Sequence, residues 1–383
     1  MTPSFRLVAI SFLLAGCVSS PAKQNQTTNE YDRPIRFIDA VEISHDVIQD
    51  GFRVGGLSSL YLDADTKKLI SISDDTSVSG APRFHTFDIE LTTTDLVVTA
   101  DAMIELVNES SERFQPKETI DAEAFDRLPN GNWIVSSEGI KLNERFTIPQ
   151  FLEFDPSGVL VKRWPFPDHY MPDLSQEPDT GIRSNAAFEG LDLTPDRQFL
   201  MLAAEKAVYQ DGGVSSTEQT SQVRVMRMKN DDGVYSEAEE FLYELSKIPD
   251  FTDDASVFAL IGISDILAVS ETRLLIVERS FVASPIDRNT VQVFKVELPK
   301  SKSHMYDKSP DTLAKVDKTL WFDMDDFIDV PGFPGIDNVE GVILGPQLEN
   351  GNQSLLIVSD NNFSSRQKTL FYAFEIVKPM WED

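Results

Sequence analysis

Carboxylates recur in this chain at two kinds of position. One set stands where short apolar stretches begin: Asp121 and Glu123 before Ala124-Phe125, Glu189 before Gly190-Leu191, Asp265 after Gly262-Ile263-Ser264, and Glu340, with Asn338, before Gly341-Val342. The second set ends the apolar run that follows: Asp74-Asp75, Glu138, Glu205, Glu278 and Asp360. Oxygens converging from several segments can hold a hard divalent cation, and Ca2+ is the ion best suited to such a carboxylate cage. They can also take a proton from water. Cations are interleaved: Lys206 and Arg279 directly follow Glu205 and Glu278, and Arg83, Arg183 and Arg366 are in or beside flanking loops. Guanidinium groups grip phosphate and carboxylate. A structural reading stands beside the chemical one, in which the acids accept backbone N–H groups of neighbouring segments and pair with these arginines to lock the fold.

Other chemistries leave no trace. There is no Gly-x-Ser-x-Gly elbow, since Ser264 in Gly262-Ile263-Ser264-Asp265 lacks the closing glycine. The four histidines, His45, His85, His169 and His304, show no metal-ligand spacing, and His85 sits in a strand-like segment. No Arg-His-Gly, Walker or dinucleotide fingerprint occurs. A net charge of −29, from 34 basic and 63 acidic residues, excludes nucleic acid and anionic membrane surfaces as partners, because phosphate backbones demand clustered Lys and Arg. Metal-assisted attack by water is the hydrolytic mechanism that survives.

The acids are positioned by an internal repeat. Five apolar runs end in polar residues: Lys68 to Asp75, Asn132 to Gly139, Gln198 to Lys206, Arg273 to Arg279 and Ser354 to Asn361. Their openers, taken at Gly56, Glu123, Glu189, Ser264 and Glu340, are spaced by 67, 66, 75 and 76 residues. Third strands are readable at 83–90, 150–155, 222–228, 290–297 and 369–376, and fourth strands at 96–106, 159–166, 239–245 and 318–323. The last repeat lacks a fourth strand, which Arg36 to Ser44 would supply from the N-terminal side. The pattern predicts an all-β propeller of five blades with its ring closed by an N-terminal strand. A sixth blade would have to hide in gaps too short for four strands. First strands would line the central channel, and their starts, with the ends of the second strands, would converge on one mouth. Insertions at 168–184, 207–221 and 300–315 read as loops.

The first 16 residues read as a secretory leader: Arg6, then the apolar Leu7 to Leu14, too short to cross a bilayer. Leu14-Ala15-Gly16-Cys17 resembles a bacterial lipobox, with the chain's one cysteine at the lipidation position. Residues 17–33 read as a polar tether, and 34–383 as the folded domain. The expected location is the cell envelope, lipid-anchored at the outer membrane and facing the periplasm, with Val18 rather than Asp after the cysteine. That anchor is the one expected membrane contact.

The segments Gly56-Leu57-Ser58 with Ile72 to Asp75, Asp121 to Ala124 with Ser136 to Gly139, Asn185 to Gly190 with Ala204-Glu205, Leu275 to Arg279, and Asn338 to Gly341 with Ser359 to Asn361 resemble the phytase-like family, also described as esterase-like activity of phytase. The resemblance implies hydrolysis of phosphate or carboxylic esters. The second opener, Glu123-Ala124, departs from Glu-Gly. Propeller phytases with six blades carry several Ca2+ ions, whereas five blades are read here. The expected site has Glu123, Glu189 and Glu340 as catalytic groups. Asp75, Glu138, Glu205, Asp265, Glu278 and Asp360 would be metal ligands, and Arg83, Lys206, Arg279, Asn185 and Asn338 would hold substrate. A lactonase propeller with Ca2+ is a neighbouring expectation, and a non-catalytic propeller binding a ligand or protein through the same mouth is the alternative.

Overall fold

The computed structural model describes residues 33–381 except 76–79, 116–119, 140, 143–144, 176, 250–256, 284–286 and 300–311. Cys17, the leader and nearly all of the tether lie outside the described residues, as does most of the 300–315 insertion.

Five antiparallel blades follow one another along the chain. Blade 1 runs Leu57–Leu62, Leu69–Ser73, Arg83–Leu91 and Leu96–Glu105, and blade 2 runs Ala122–Arg127, Trp133–Ser137, Gln150–Phe154 and Leu160–Trp164. Blade 3 runs Phe188–Leu193, Phe199–Ala204, Ser221–Asp231 and Val234–Leu245, with the short Ala314–Lys315 added in parallel at its edge. Blade 4 runs Ala259–Ser270, Arg273–Val282, Arg288–Glu297 and Asp317–Asp323. Blade 5 takes Asn338–Gln347, Gln353–Asp360 and Thr369–Ile376, and its outer strand is the N-terminal Ile35–Ile43, paired antiparallel from Ile35 with Ile376 to Ile43 with Thr369. Among the described residues there is no α-helix, only single 3-10 turns.

The burial pattern explains the sequence pattern. Middle strands are covered on both faces by adjacent blades, so Leu69–Ser73, Trp133–Ser137 and Thr369–Ile376 are buried throughout and read as unbroken runs. Outer strands meet solvent; Leu160–Trp164 is buried at its two ends alone. Between blades the packing is aromatic, as where Phe84 and Trp133 meet at 5.2 Å and Phe87 and Phe371 at 5.1 Å. Each such buried ring is worth about 1.5–3 kcal/mol.

The first strands pack in sequence around an axis: blade 1 on blade 2, 2 on 3, 3 on 4, 4 on 5, and blade 5 back on blade 1. Carboxylates rivet these seams by accepting backbone N–H groups. Asp126 takes Leu193 N at 2.8 Å, Asp192 takes Ala268 N at 2.6 Å, Asp265 takes Val342 N at 2.8 Å and Asp360 takes Leu57 N at 2.9 Å. Each first strand also carries a β-bulge or register shift, and a bulge re-aims the side chain beside it.

Candidate functional site at the channel mouth

The strand registers define equivalent places in the five blades. The equivalent pairs at the mouth are Leu57 with Ser73, Ala122 with Ser137, Phe188 with Ala204, Ile263 with Glu278, and Val339 with Ser359; the register shifts directly after each but the first, where Ser58 still pairs with Ile72. The next residue on the first strand is Ser58, Glu123, Glu189, Ser264 and Glu340 in blades 1 to 5. The next residue on the second strand is Asp74, Glu138, Glu205, Arg279 and Asp360. Blades 2, 3 and 5 therefore present two acids each, blade 1 presents Ser58 and Asp74, and blade 4 alone presents Ser264 and Arg279.

These side chains converge. Carboxylate oxygens of Asp121, Glu123 and Glu138 lie within 4.8 Å of one another, and so do those of Glu138, Glu189 and Glu205. Glu138 belongs to both groups. Its Oε1 accepts Ala187 N from blade 3 at 2.8 Å, while its Oε2 is buried and has no hydrogen-bond partner among the described residues. Across the mouth, Glu340 Oε1 accepts Arg279 Nη2 at 2.9 Å and Asn338 Nδ2 at 2.8 Å, and its Oε2 is likewise buried and unmatched. Arg279 also donates to Asn338 Oδ1. Lys206 reaches Glu205 at 2.8 Å, and Ser58 donates to Glu123 at 3.1 Å.

Burial and mutual repulsion hold these groups away from their ordinary ionisation. Burial first, then Glu205, pushes Glu138 up to about 7. Burial carries Glu340 to about 7 against the pull of Arg279. Asp74 is raised to about 6 by burial and the neighbouring Asp75. Burial and adjacent carboxylates place Asp121, Glu123, Glu189 and Asp360 well above the usual range. Such clusters are costly unless protonated or neutralised by a cation. The donors fit a hard divalent ion: all are oxygens, they come in threes, and Glu138 Oε2, on the residue shared by both groups, has no donor among the described residues.

Three expected metal ligands are out of register. Asp75 and Asp265 stand one residue after the converging places and Glu278 one residue before, and a one-residue step on a strand sends the side chain to the other face. Asp75 pairs with Arg83 at 2.9 Å. Glu278 accepts Tyr243 Oη at 2.5 Å and Lys318 Nζ at 2.6 Å. Both oxygens of Asp265 take backbone N–H groups, of Ile266 and Val342, at 2.8 Å. Arg83 is likewise corrected from substrate ligand to structural pin. It is fully buried, with Nε on His85, Nη1 on Asp75 and the Ala81 carbonyl, and Nη2 on the Arg53 carbonyl. Asp360 keeps its place at the mouth while clasping Leu57 N and Asn362 N. Asn185, in left-handed conformation at φ 53°, lines a cleft that reaches Glu138. Arg279 and Asn338 line a second cleft on the far side. Ser264 was legible as a repeat position, but not as the residue that replaces a glutamate.

The family model described as phytase-like, esterase-like activity of phytase, matches residues 53–363. No curated protein matches the chain. Among solved structures, the chain is similar at 11% identity to MPT-4, a mannose phosphorylase from Leishmania mexicana in complex with phosphate ion, with 92% of each chain covered and a TM-score of 0.40. It is also similar to a hypothetical protein from Leishmania major, at 9% identity over 90% of this chain and 96% of that one, TM-score 0.42. The catalytic domain of the Coprinopsis cinerea GH62 alpha-L-arabinofuranosidase is similar at 8% identity over 89% and 97%, TM-score 0.42. Likeness at that level says nothing about activity.

Proposed function

We propose, from the premise that this chain belongs to the phytase-like family described as esterase-like activity of phytase, that it hydrolyses phosphate or carboxylic esters at the acidic mouth. The observation that carries the reading is Glu138, shared between two carboxylate groups with a buried oxygen left unmatched. A hard divalent cation, Ca2+ by donor type, would be held by Asp121, Glu123 and Glu138 or by Glu138, Glu189 and Glu205. When bound, such an ion polarises an ester oxygen and eases ionisation of water. The remaining steps belong to side chains. Whichever of Glu189 and Glu123 stands outside the ion's ligand set would accept the proton of attacking water, burial holding both above the ordinary carboxylate range. Arg279 is fixed on Glu340 and sets positive charge at the mouth, suited to charge developing on the ester oxygens. Asn338 holds both partners in place.

The test is cleavage of nitrophenyl phosphate and nitrophenyl acetate before and after EDTA. Turnover lost with EDTA, restored by Ca2+ and abolished in Glu189→Gln and Glu340→Gln supports the reading. A folded protein that binds no cation and turns over neither ester leaves a ligand-binding propeller instead. Attachment through Cys17 to the outer membrane, facing the periplasm, belongs to the same proposal. Cys17→Ser should shift the protein from the membrane to the soluble fraction.

A further inference from the structure

Blade 4 is where the acidic mouth is interrupted. Its two converging residues are Ser264 and Arg279, while blades 2, 3 and 5 each contribute two carboxylates. An anion approaching from any other side meets like charge at short range; from blade 4 it meets a guanidinium. Directly outside Arg279 lies a cleft of about 600 Å³ between blades 4 and 5, lined by Arg279, Asn289, Asn338, Ser364, Arg366 and Gln367. That volume is within the range of small-molecule sites.

The cleft is built by a strained turn. Asn362 and Phe363 both take left-handed backbone, φ 46° and 52°, a strained conformation that persists where surroundings over-determine it. Here they do: Asp360 accepts Asn362 N at 2.7 Å, Asn361 Oδ1 accepts Phe363 N at 2.9 Å, and the Asn361 carbonyl accepts Ser364 N at 2.7 Å. The turn carries Ser364, Arg366 and Gln367 onto the cleft wall beside Arg279. Two acids share the cleft. Asp337 has one oxygen on Asn338 N at 2.8 Å and the other on Lys368 N at 3.0 Å, so both are engaged by backbone donors. Asp287 is exposed at the edge. Arg279 is committed to Glu340 through Nη2, but its Nε is buried and unmatched. Arg366 is exposed.

We infer that this cleft is an oxyanion subsite, with Arg366 and Arg279 as its binding residues, and that the esters turned over at the mouth carry a second anionic group seated there. The inference deepens the ester-hydrolase reading and rests on it for the word substrate, whereas anion binding itself is tested separately. The probe is inorganic phosphate, titrated calorimetrically into the full mature chain at low salt with EDTA present, so that no cation at the mouth can capture it. Phosphate should bind with an affinity that falls as NaCl is added. Arg366→Gln should weaken it at least tenfold, Arg366→Glu should abolish it, and Arg366→Lys should recover part of it. Arg183→Gln, in the opposite cleft, should not change it. Absence of binding, binding that needs Ca2+, or wild-type affinity in Arg366→Gln with an intact circular dichroism spectrum would each overturn the assignment. Phosphate bound as expected with no turnover of any ester would uphold the subsite and remove the hydrolase reading. If turnover is present, Arg366→Gln should lower kcat/KM for an alkanediol bisphosphate, which carries a second anionic group, at least tenfold more than for nitrophenyl phosphate, which carries none.

Discussion

Glu138 on blade 2 accepts the amide of Ala187 on blade 3 through one oxygen and leaves the other buried with no donor among the described residues. The carboxylate is thus both a rivet across a seam and an open ligand. Replacing it by glutamine separates the two roles, because an amide oxygen can still accept Ala187 N. In EDTA, Glu138→Gln should melt at or above the wild-type temperature, since one member of a repulsive cluster is neutralised. With Ca2+ at a hundred times its Kd, the wild type should gain about 2.7 kcal/mol. The variant should lose most of that gain, as read by melting temperature with and without the ion.

The cation-free protein should be less stable at neutral than at mildly acidic pH. Glu138 and Glu340 ordinarily ionise near 4.5 and are held up to about 7 in the fold. Between those values the native state binds more protons than the unfolded chain, so unfolding free energy falls as pH rises through the window. Below it the raised groups cost nothing; above it their full penalty is present. Melting in EDTA should therefore decline from pH 5 to pH 7.5, and Ca2+ should flatten or reverse the decline. A curve that rises with pH in EDTA would show that these acids are already neutralised by the protein.

Gly262 should tolerate no side chain without disturbing the site. A Cβ there would lie 2.6 Å from Glu205 Oε1 and 2.7 Å from its Cγ. Because the obstacle is the end of a flexible side chain, Gly262→Ala should fold, displace Glu205 and weaken cation binding at least tenfold at a cost of about 1–3 kcal/mol. Calorimetric titration of Ca2+ checks it.

Arg83 gives the opposite expectation. It and Asp75 are fully enclosed at 2.9 Å, so Arg83→Ala takes the guanidinium from a buried carboxylate and should cost about 3–5 kcal/mol. Denaturant melts measure this, and at temperatures where the variant remains folded its KM should match wild type.

Ring closure depends on the N-terminal strand. Phe37 is buried against Phe374 and Phe333, so Phe37→Ala should cost about 3–5 kcal/mol. Removal of everything before Ser44 would leave Thr369–Ile376 as an open edge in a three-stranded blade. Such a protein should aggregate, as light scattering would report.

The propeller was legible because doubly covered strands must be apolar throughout, and runs such as Leu355 to Val358 recur at a regular interval. The closing strand was legible from the missing fourth partner of blade 5. The composition of the mouth was legible at Glu123, Glu138, Glu189, Glu205, Glu340 and Arg279, where the acid or its replacement sits at the register break. It was misread at Asp75, Asp265 and Glu278, one step away. Bulges shift register without any mark in the residue types, and adjacent pairs such as Asp74-Asp75 and Glu278-Arg279 do not announce which member faces the axis. The double duty of Asp360, and the seam rivets at Asp126 and Asp192, depend on amides of the next blade that only tertiary structure brings near.

The pairing of Ile35 with Ile376 fixes an orientation. Gln353–Asp360 runs toward the mouth and Thr369–Ile376 runs away from it, so the chain enters its outermost strand from the underside of the wheel. Whatever precedes Arg33 is therefore joined to the wheel at its floor, and the acidic opening lies at the other end of the axis.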